Sequence, residues 1–107
     1  MRAQLMDDPV LTGFRKAVGD AYGDRLERVV LFGSRARGDH RPDSDYDIAV
    51  FIREPGSLWN EGGRLAELED AFLIDTGAVI NAMPFPAGAY RERTAFMHEV
   101  REDGLDL

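Results

Sequence analysis

Two aspartates set two residues apart, Asp45 and Asp47, are the residues of this chain best suited to do chemistry. They head an alternating run in which Asp45, Asp47, Ala49 and Phe51 share one side and Tyr46, Ile48, Val50 and Ile52 the other. Period-two alternation predicts a strand, and side chains two apart on a strand project from one face with Cα atoms about 7 Å apart. Carboxylates at that spacing can converge on magnesium ions, which take oxygen ligands and share them with substrate phosphates. A pair of such metals can activate an attacking oxygen and stabilise a departing pyrophosphate. Two like charges side by side are costly unless a cation offsets them, which itself favours a metal. Asp45 and Asp47 are therefore the candidate metal ligands and catalytic residues.

A second feature of the same chemistry precedes them. Gly33-Ser34 follows the apolar, β-branched run Leu26 to Phe32, a predicted buried strand. Glycine at that bend lets phosphate oxygens approach the backbone closely. Ser34 brings a hydroxyl and an N–H, and a helical turn over Ser34 to Arg37 would turn its N-terminus toward an anion. Arg35 and Arg37 can neutralise a triphosphate. Ser44, just ahead of the aspartates, either joins the nucleotide or only shapes the turn. The candidate nucleotide-binding residues are thus Gly33, Ser34, Arg35, Arg37 and Ser44. Anion donors at one strand end and metal ligands at the start of the next form the layout that phosphoryl or nucleotidyl transfer requires.

Each piece taken alone has a plainer reading. Gly-Ser turns are common, and Asp39 and Asp43 read as solvated turn residues. Asp43, Asp45, Asp47 and Glu54 match positions one, three, five and twelve of a calcium-binding EF-hand loop. Position six of such a loop must be glycine, however, and here it is Ile48 in a strand-like run. Trp59 can stack on an adenine but reads first as partial core. His40 reads as a loop residue, His98 as a helix-surface residue, and Met83 and Phe85 as core or interface. Tyr46 faces away from its neighbouring aspartates and reads as packing.

The elements that must position the aspartates follow from the same patterning. Asp8-Pro9 is a helix start, with Asp as N-cap and Pro at the first helical position. Val10, Leu11, Phe14, Ala17, Val18 and Ala21 form its apolar face, and Gly23 ends it. Gly33 to Ser44 is a polar turn region, and the strand from Asp45 runs to Pro55-Gly56. A helix is expected over about Glu61 to Leu73, with Leu65, Leu68, Ala71 and Phe72 inward; Gly62-Gly63 blurs its start. Gly77 stops it. Ala78 to Phe85 reads as a third strand, Tyr90 to Val100 as a last helix, and the residues after Gly104 as a short tail. Two strands joined by a loop and a third arriving after a crossover helix imply an α/β (α+β) fold, a small mixed sheet flanked by helices.

Composition narrows the partners. The chain has 107 residues, read as one domain over 1–107, with 44% hydrophobic and 9% aromatic residues, ordinary for a globular protein. Asp and Glu outnumber Lys and Arg by 20 to 13, a formal charge of −7, so direct nucleic-acid binding is not expected. Cysteine is absent, which removes disulfides and thiolate metal sites. The opening residues Met1 to Val10 carry no apolar signal region, and no apolar run approaches the ~20 residues that span a bilayer. A cytoplasmic protein without membrane contact is expected.

Gly33-Ser34, ten intervening residues and Asp45-x-Asp47, extended to Gly-Ser-Arg-Ala-Arg-Gly and Ser-Asp-Tyr-Asp, resemble the minimal nucleotidyltransferases of the polymerase-β superfamily. The resemblance covers nearly the whole chain. It implies the polymerase-β-like fold, ATP as donor substrate and Mg2+ as cofactor. It further implies that Gly33 and Ser34 bind the triphosphate and that Asp45 and Asp47 bind metal. Many such proteins are antitoxins encoded beside a helical HEPN toxin, and some transfer AMP to a toxin tyrosine; a HEPN-type toxin is the partner so implied. Either a homo- or a hetero-oligomer is compatible with this. One departure stands out. Fuller members carry a third acidic residue on the third strand, and the nearest match is Asn81, which can coordinate through its carbonyl but cannot take a proton. Loss of a base worth typically ~10²- to 10⁴-fold would slow the chemistry without abolishing nucleotide binding. The alternative expectation is a catalytically weak antitoxin that neutralises its partner by complex formation.

Overall fold

The computed structural model describes residues 7–107; Met1 to Met6, part of the opening segment read for a signal, lie outside the described residues. Helix α1 spans Pro9–Tyr22 and starts as its sequence predicts, with Asp8 accepting a hydrogen bond from the Val10 N–H and proline in the first turn. Leu11, Phe14, Val18 and Tyr22 form its buried face. A 3-10 turn, Gly23–Arg25, leads into strand β1, Leu26–Phe32. One helical turn, α2, covers Ser34–Arg37, followed by the loop to strand β2, Tyr46–Ile52. Helix α3 spans Leu58–Thr76 and strand β3 Ile80–Pro86. A 3-10 segment, Ala87–Arg91, helix α4, Ala95–Asp103, and a two-residue strand β4, Leu105–Asp106, complete the described chain.

The four strands lie in the order β3-β2-β1-β4, with β1 antiparallel to both neighbours and β3 parallel to β2. The sheet is mixed, as expected, and both faces are covered. Tyr46, Ile48, Val50 and Ile52 of β2, with Val29 and Leu31 of β1, pack against α1 and α3 through Phe14, Val18 and Leu65. On the other face Val30, Phe32, Ala49 and Phe51 meet Met97 and Val100 of α4 and Ala89 of the 3-10 segment. Side chains of this size stabilise the fold by about 1.5–3 kcal/mol each when fully buried. Phe14, Phe51, Leu31 and Ile48 are among the fully buried ones.

The structure differs from the sequence reading at several points. Helix α3 begins three residues earlier than Glu61 because the Ser57 hydroxyl accepts from the Asn60 N–H and caps it, and its length carries Gly62-Gly63 in the interior. The last helix does not start at Tyr90: Thr94 accepts from the Met97 N–H, so the helix begins at Ala95, and Tyr90 lies in a separate 3-10 segment. The expected tail contains β4, which pairs Leu105 and Asp106 with Leu31 and Val30. Ala71, expected to face inward, is exposed.

Candidate active site

The topology explains why residues distant in sequence meet. Antiparallel pairing sets the end of β1 beside the start of β2, with Phe32 opposite Asp47. Parallel pairing sets the start of β3 beside the same point, with Asn81 opposite Asp47. Asp47 is thus flanked by Phe32-Gly33 on one side and Asn81 on the other. Asp45 lies one residue ahead of β2 and is exposed, whereas Asp47 is partly buried.

Gly33 and Asp47 require each other's geometry. Gly33 has φ 76°, a conformation that favours glycine, and a Cβ added there would lie 2.5 Å from Asp47 Oδ2. The carboxylate therefore rests on the bare glycine Cα. Asn81 joins the aspartates from the opposite side: its Nδ2 donates to Asp45 Oδ2 at 2.9 Å and to Asp47 Oδ1 at 3.4 Å. Two carboxylates and one amide thus converge at a single sheet end.

Among the described residues no group of three or more His, Cys, Asp or Glu side chains can hold a metal, in keeping with asparagine at this third position. Magnesium nevertheless fits this donor set, because it commonly takes one or two carboxylates and completes its shell with waters and substrate phosphates. Asp45 and Asp47 would hold it, and a half-turn of the Asn81 amide would offer its carbonyl oxygen in place of the nitrogen.

The remaining candidates divide. Ser34 opens α2 immediately beside Gly33, so the expected helical turn is present, closed by the Gly38 N–H donating to the Ser34 carbonyl at 2.9 Å. Arg35 turns to the loop: its Nε donates to the Ser44 carbonyl at 2.9 Å and its Nη2 to that of Pro42 at 3.1 Å. Its guanidinium also stacks 3.9 Å from the Tyr46 ring centroid. Arg37 faces Asp39, at 3.2 Å, and beyond it Glu99 and Asp103 of α4. Ser44 accepts from the Arg41 N–H through its hydroxyl at 2.9 Å, a loop-shaping bond. Gly33, Ser34, Asp45, Asp47 and Asn81 therefore gather at the strand ends, while Arg35 and Ser44 hold the loop and Arg37 points to α4.

Sequence reasoning gave Asp8 as the cap of α1 but missed its second bond. One of its oxygens caps α1, and the other accepts from the Tyr46 hydroxyl at 2.8 Å. Burial, then this bond, pushes the Tyr46 phenol above its usual range. Asp8 thereby ties α1 to the residue between the two aspartates, from 38 positions away, a separation no local pattern signals. Trp59, read first as partial core, is instead 89% exposed. It sits beside Pro84, which pairs with Val50 three residues along β2 from Asp47.

Residues 11–102 match the family model described as "Nucleotidyltransferase domain". The chain belongs to that family. This nucleotidyltransferase domain is 26% identical over 98 residues to a protein of Methanocaldococcus jannaschii provisionally named a protein adenylyltransferase, covering 92% of this chain and 95% of the relative. Its fold is similar to that of a crystal structure from Sulfolobus solfataricus, provisionally named a nucleotidyltransferase, with TM-score 0.64 and 19% identity, covering 91% of this chain and 75% of that one. It is also similar in fold to a toxin–antitoxin crystal structure with AMP-PNP, with TM-score 0.60 and 18% identity, covering 88% and 69%. No helix among the described residues of the nucleotidyltransferase domain is long and apolar enough to cross a membrane.

Proposed function

We propose that this chain is a cytoplasmic, single-domain antitoxin that transfers AMP from ATP to a hydroxyl, a tyrosine of a HEPN-type toxin. The observation that carries this reading is the convergence of Asp45, Asp47 and Gly33-Ser34 at one sheet end. The provisional name of the Methanocaldococcus jannaschii relative and the AMP-PNP in a toxin–antitoxin structure of similar fold support the donor and the class of acceptor. In the reaction the acceptor oxygen gives up its proton to solvent and bonds to the α-phosphorus of ATP, the bond to the bridging oxygen breaks, and pyrophosphate leaves. Asp45 and Asp47 would hold Mg2+, and Gly33 and Ser34 would receive the triphosphate at the strand end. Mg2+, when bound, offsets the charge on the triphosphate and the leaving pyrophosphate. Arg35 and Ser44 keep the loop before Asp45 in place.

Incubation with α-labelled ATP, Mg2+ and the purified product of the adjacent reading frame should label that product. Absence of label, with Asp45→Asn and Asp47→Asn chains still protecting the host, rejects an enzymatic role.

Asn81 favours a second reading, neutralisation by complex formation with little turnover. Its amide spans both carboxylates and cannot accept the acceptor's proton. Under this reading Asp45→Asn/Asp47→Asn retains the complex and no pyrophosphate is released. Under the first, Asn81→Asp increases the labelling rate.

A further inference from the structure

The outer face of α3 carries large apolar side chains among its acidic ones, where a solvent-facing helix is normally polar. Trp59 is 89% exposed and Ile74 86%, with Leu58 and Leu73 close to half exposed. At 100° per residue, Trp59, Gly62, Gly63, Ala66 and Leu73 fall on one stripe, turned about a quarter of the circumference from the buried Leu65 and interrupted by the exposed Asp70. At its N-terminal end Leu58, Trp59, Gly62, Gly63 and Pro84 enclose a groove of about 390 Å³.

The two glycines in this groove are not needed by the chain's own packing. Neither has a positive φ, and a Cβ on either would meet nothing within 4 Å. Mid-helix glycine normally weakens a helix relative to alanine, so the open space beside Trp59 has no internal use. A close-lying backbone from outside would use it.

Charge and edge chemistry specify the occupant. Glu67, Asp70 and Asp75 are exposed along α3, and none is paired with a cation among the described residues. Arg64, the helix's one basic residue, leans toward the Tyr22 ring at 5.5 Å. A second copy would bring a second acidic rim against the first. Strand addition is also disfavoured, because β3 is the sheet's edge strand and carries Pro84 and Pro86, which donate no backbone hydrogen bond.

We infer that the outer face of α3 docks an amphipathic helix of the partner protein, with apolar residues at i, i+3/i+4 and i+7 seated between Trp59 and Leu73 and Lys or Arg on its flanks. The identity of that protein rests on the reading that this chain acts on a partner; the surface itself is separate from the aspartate site.

Trp59 is the only tryptophan in the chain, so its fluorescence reports this surface directly. The full chain is titrated with a tryptophan-free variant of the purified product of the adjacent reading frame. A blue shift of Trp59 emission on binding is expected, weakening as salt rises. Gly63→Leu, which fills the groove, should reduce affinity at least tenfold while leaving the melting temperature unchanged or higher. Asp45→Asn/Asp47→Asn should bind as the unaltered chain does. Binding with unshifted emission and full affinity in Gly63→Leu overturns this docking surface while leaving the partner reading intact. No complex with that product overturns the partner reading, and the docking inference with it. A blue shift in the chain alone as its concentration rises makes the occupant a second copy and overturns the proposal.

Discussion

The two ends of the central β1–β2 pair treat charge in opposite ways. At the end where Leu26 meets Ile52, charges are paired: Glu61, buried, takes Arg25 Nη2 at 2.6 Å, and Arg53 pairs with Glu27. The Tyr22 hydroxyl is buried there beside Glu61, and burial, followed by the charge of Glu61, pushes it up to about 12. At the end where Phe32 meets Asp47, two carboxylates share one neutral amide and, among the described residues, pair with no cation. Charges that serve the fold have found partners within it. Like charges side by side at a strand end suit a cation from outside, which the proposed metal-triphosphate site would supply.

The contrast breaks most sharply at Asp47. Asp47→Asn is expected to lower labelling of the acceptor by about 10²- to 10³-fold, in the range of lost electrostatic stabilisation of a reacting centre. Thermal melting of the same variant should show no loss of stability, because the substitution relieves repulsion with Asp45. A melting point well below that of the unaltered chain would place Asp47 with the structural charges instead. Arg25→Ala should behave in reverse. It leaves Glu61 buried without its partner, and with the Arg25 side chain 41% exposed the loss is expected near 2 kcal/mol rather than the ~3–5 kcal/mol of a fully buried pair. Chemical denaturation reads that loss, and the labelling rate per folded molecule should stay constant.

Gly33→Ala tests whether the site end depends on a bare Cα. The new methyl would meet Asp47 Oδ2 and the backbone would be held at a positive φ, so stability should fall by about 1–2 kcal/mol and labelling more than stability explains. Equal activity in Gly33→Ala and the unaltered chain would show that the contact is incidental. Tyr46→Phe removes the hydroxyl that donates to Asp8; about 1 kcal/mol of stability should go, read by denaturant midpoint, with α1 still capped.

The smallest effect concerns Glu69 of α3, which accepts from the Ala82 N–H on β3, next to Asn81. Burial raises its carboxyl above the ordinary value of 4.5, outweighing that bond, which lowers it. A raised carboxyl favours the protonated form in the folded state. Its contribution is therefore fully present below about pH 4.5 and is lost as pH rises through the folded value. Glu69→Gln keeps an acceptor for Ala82 and carries no charge, so its stability should not show that decline between pH 4.5 and neutrality. A decline of the same size in both proteins would assign the pH dependence to other groups. The effect should stay well below 1 kcal/mol because the side chain is only partly buried.

Period-two alternation over 45–52 sets which face of β2 carries the aspartates, because successive side chains on a strand must point to opposite sides. Helical periodicity and the Asp8-Pro9 start likewise determine α1 and its buried Phe14 and Val18. The Gly-Ser and Asp-x-Asp spacing marks the candidate site and the family. Boundaries that rest on a single hydroxyl were not legible: Ser57 and Thr94 become caps only when the chain around them is already turned. Strand β4 has two residues and no periodicity to read, and it exists because β1 offers it an open edge. The meeting of Asp47 with Gly33, the reach of Asn81 to both carboxylates and the bond from Tyr46 to Asp8 belong to tertiary structure alone. Local sequence dictates where a side chain points along its own strand or helix, whereas strand order and register decide which distant side chains lie opposite it.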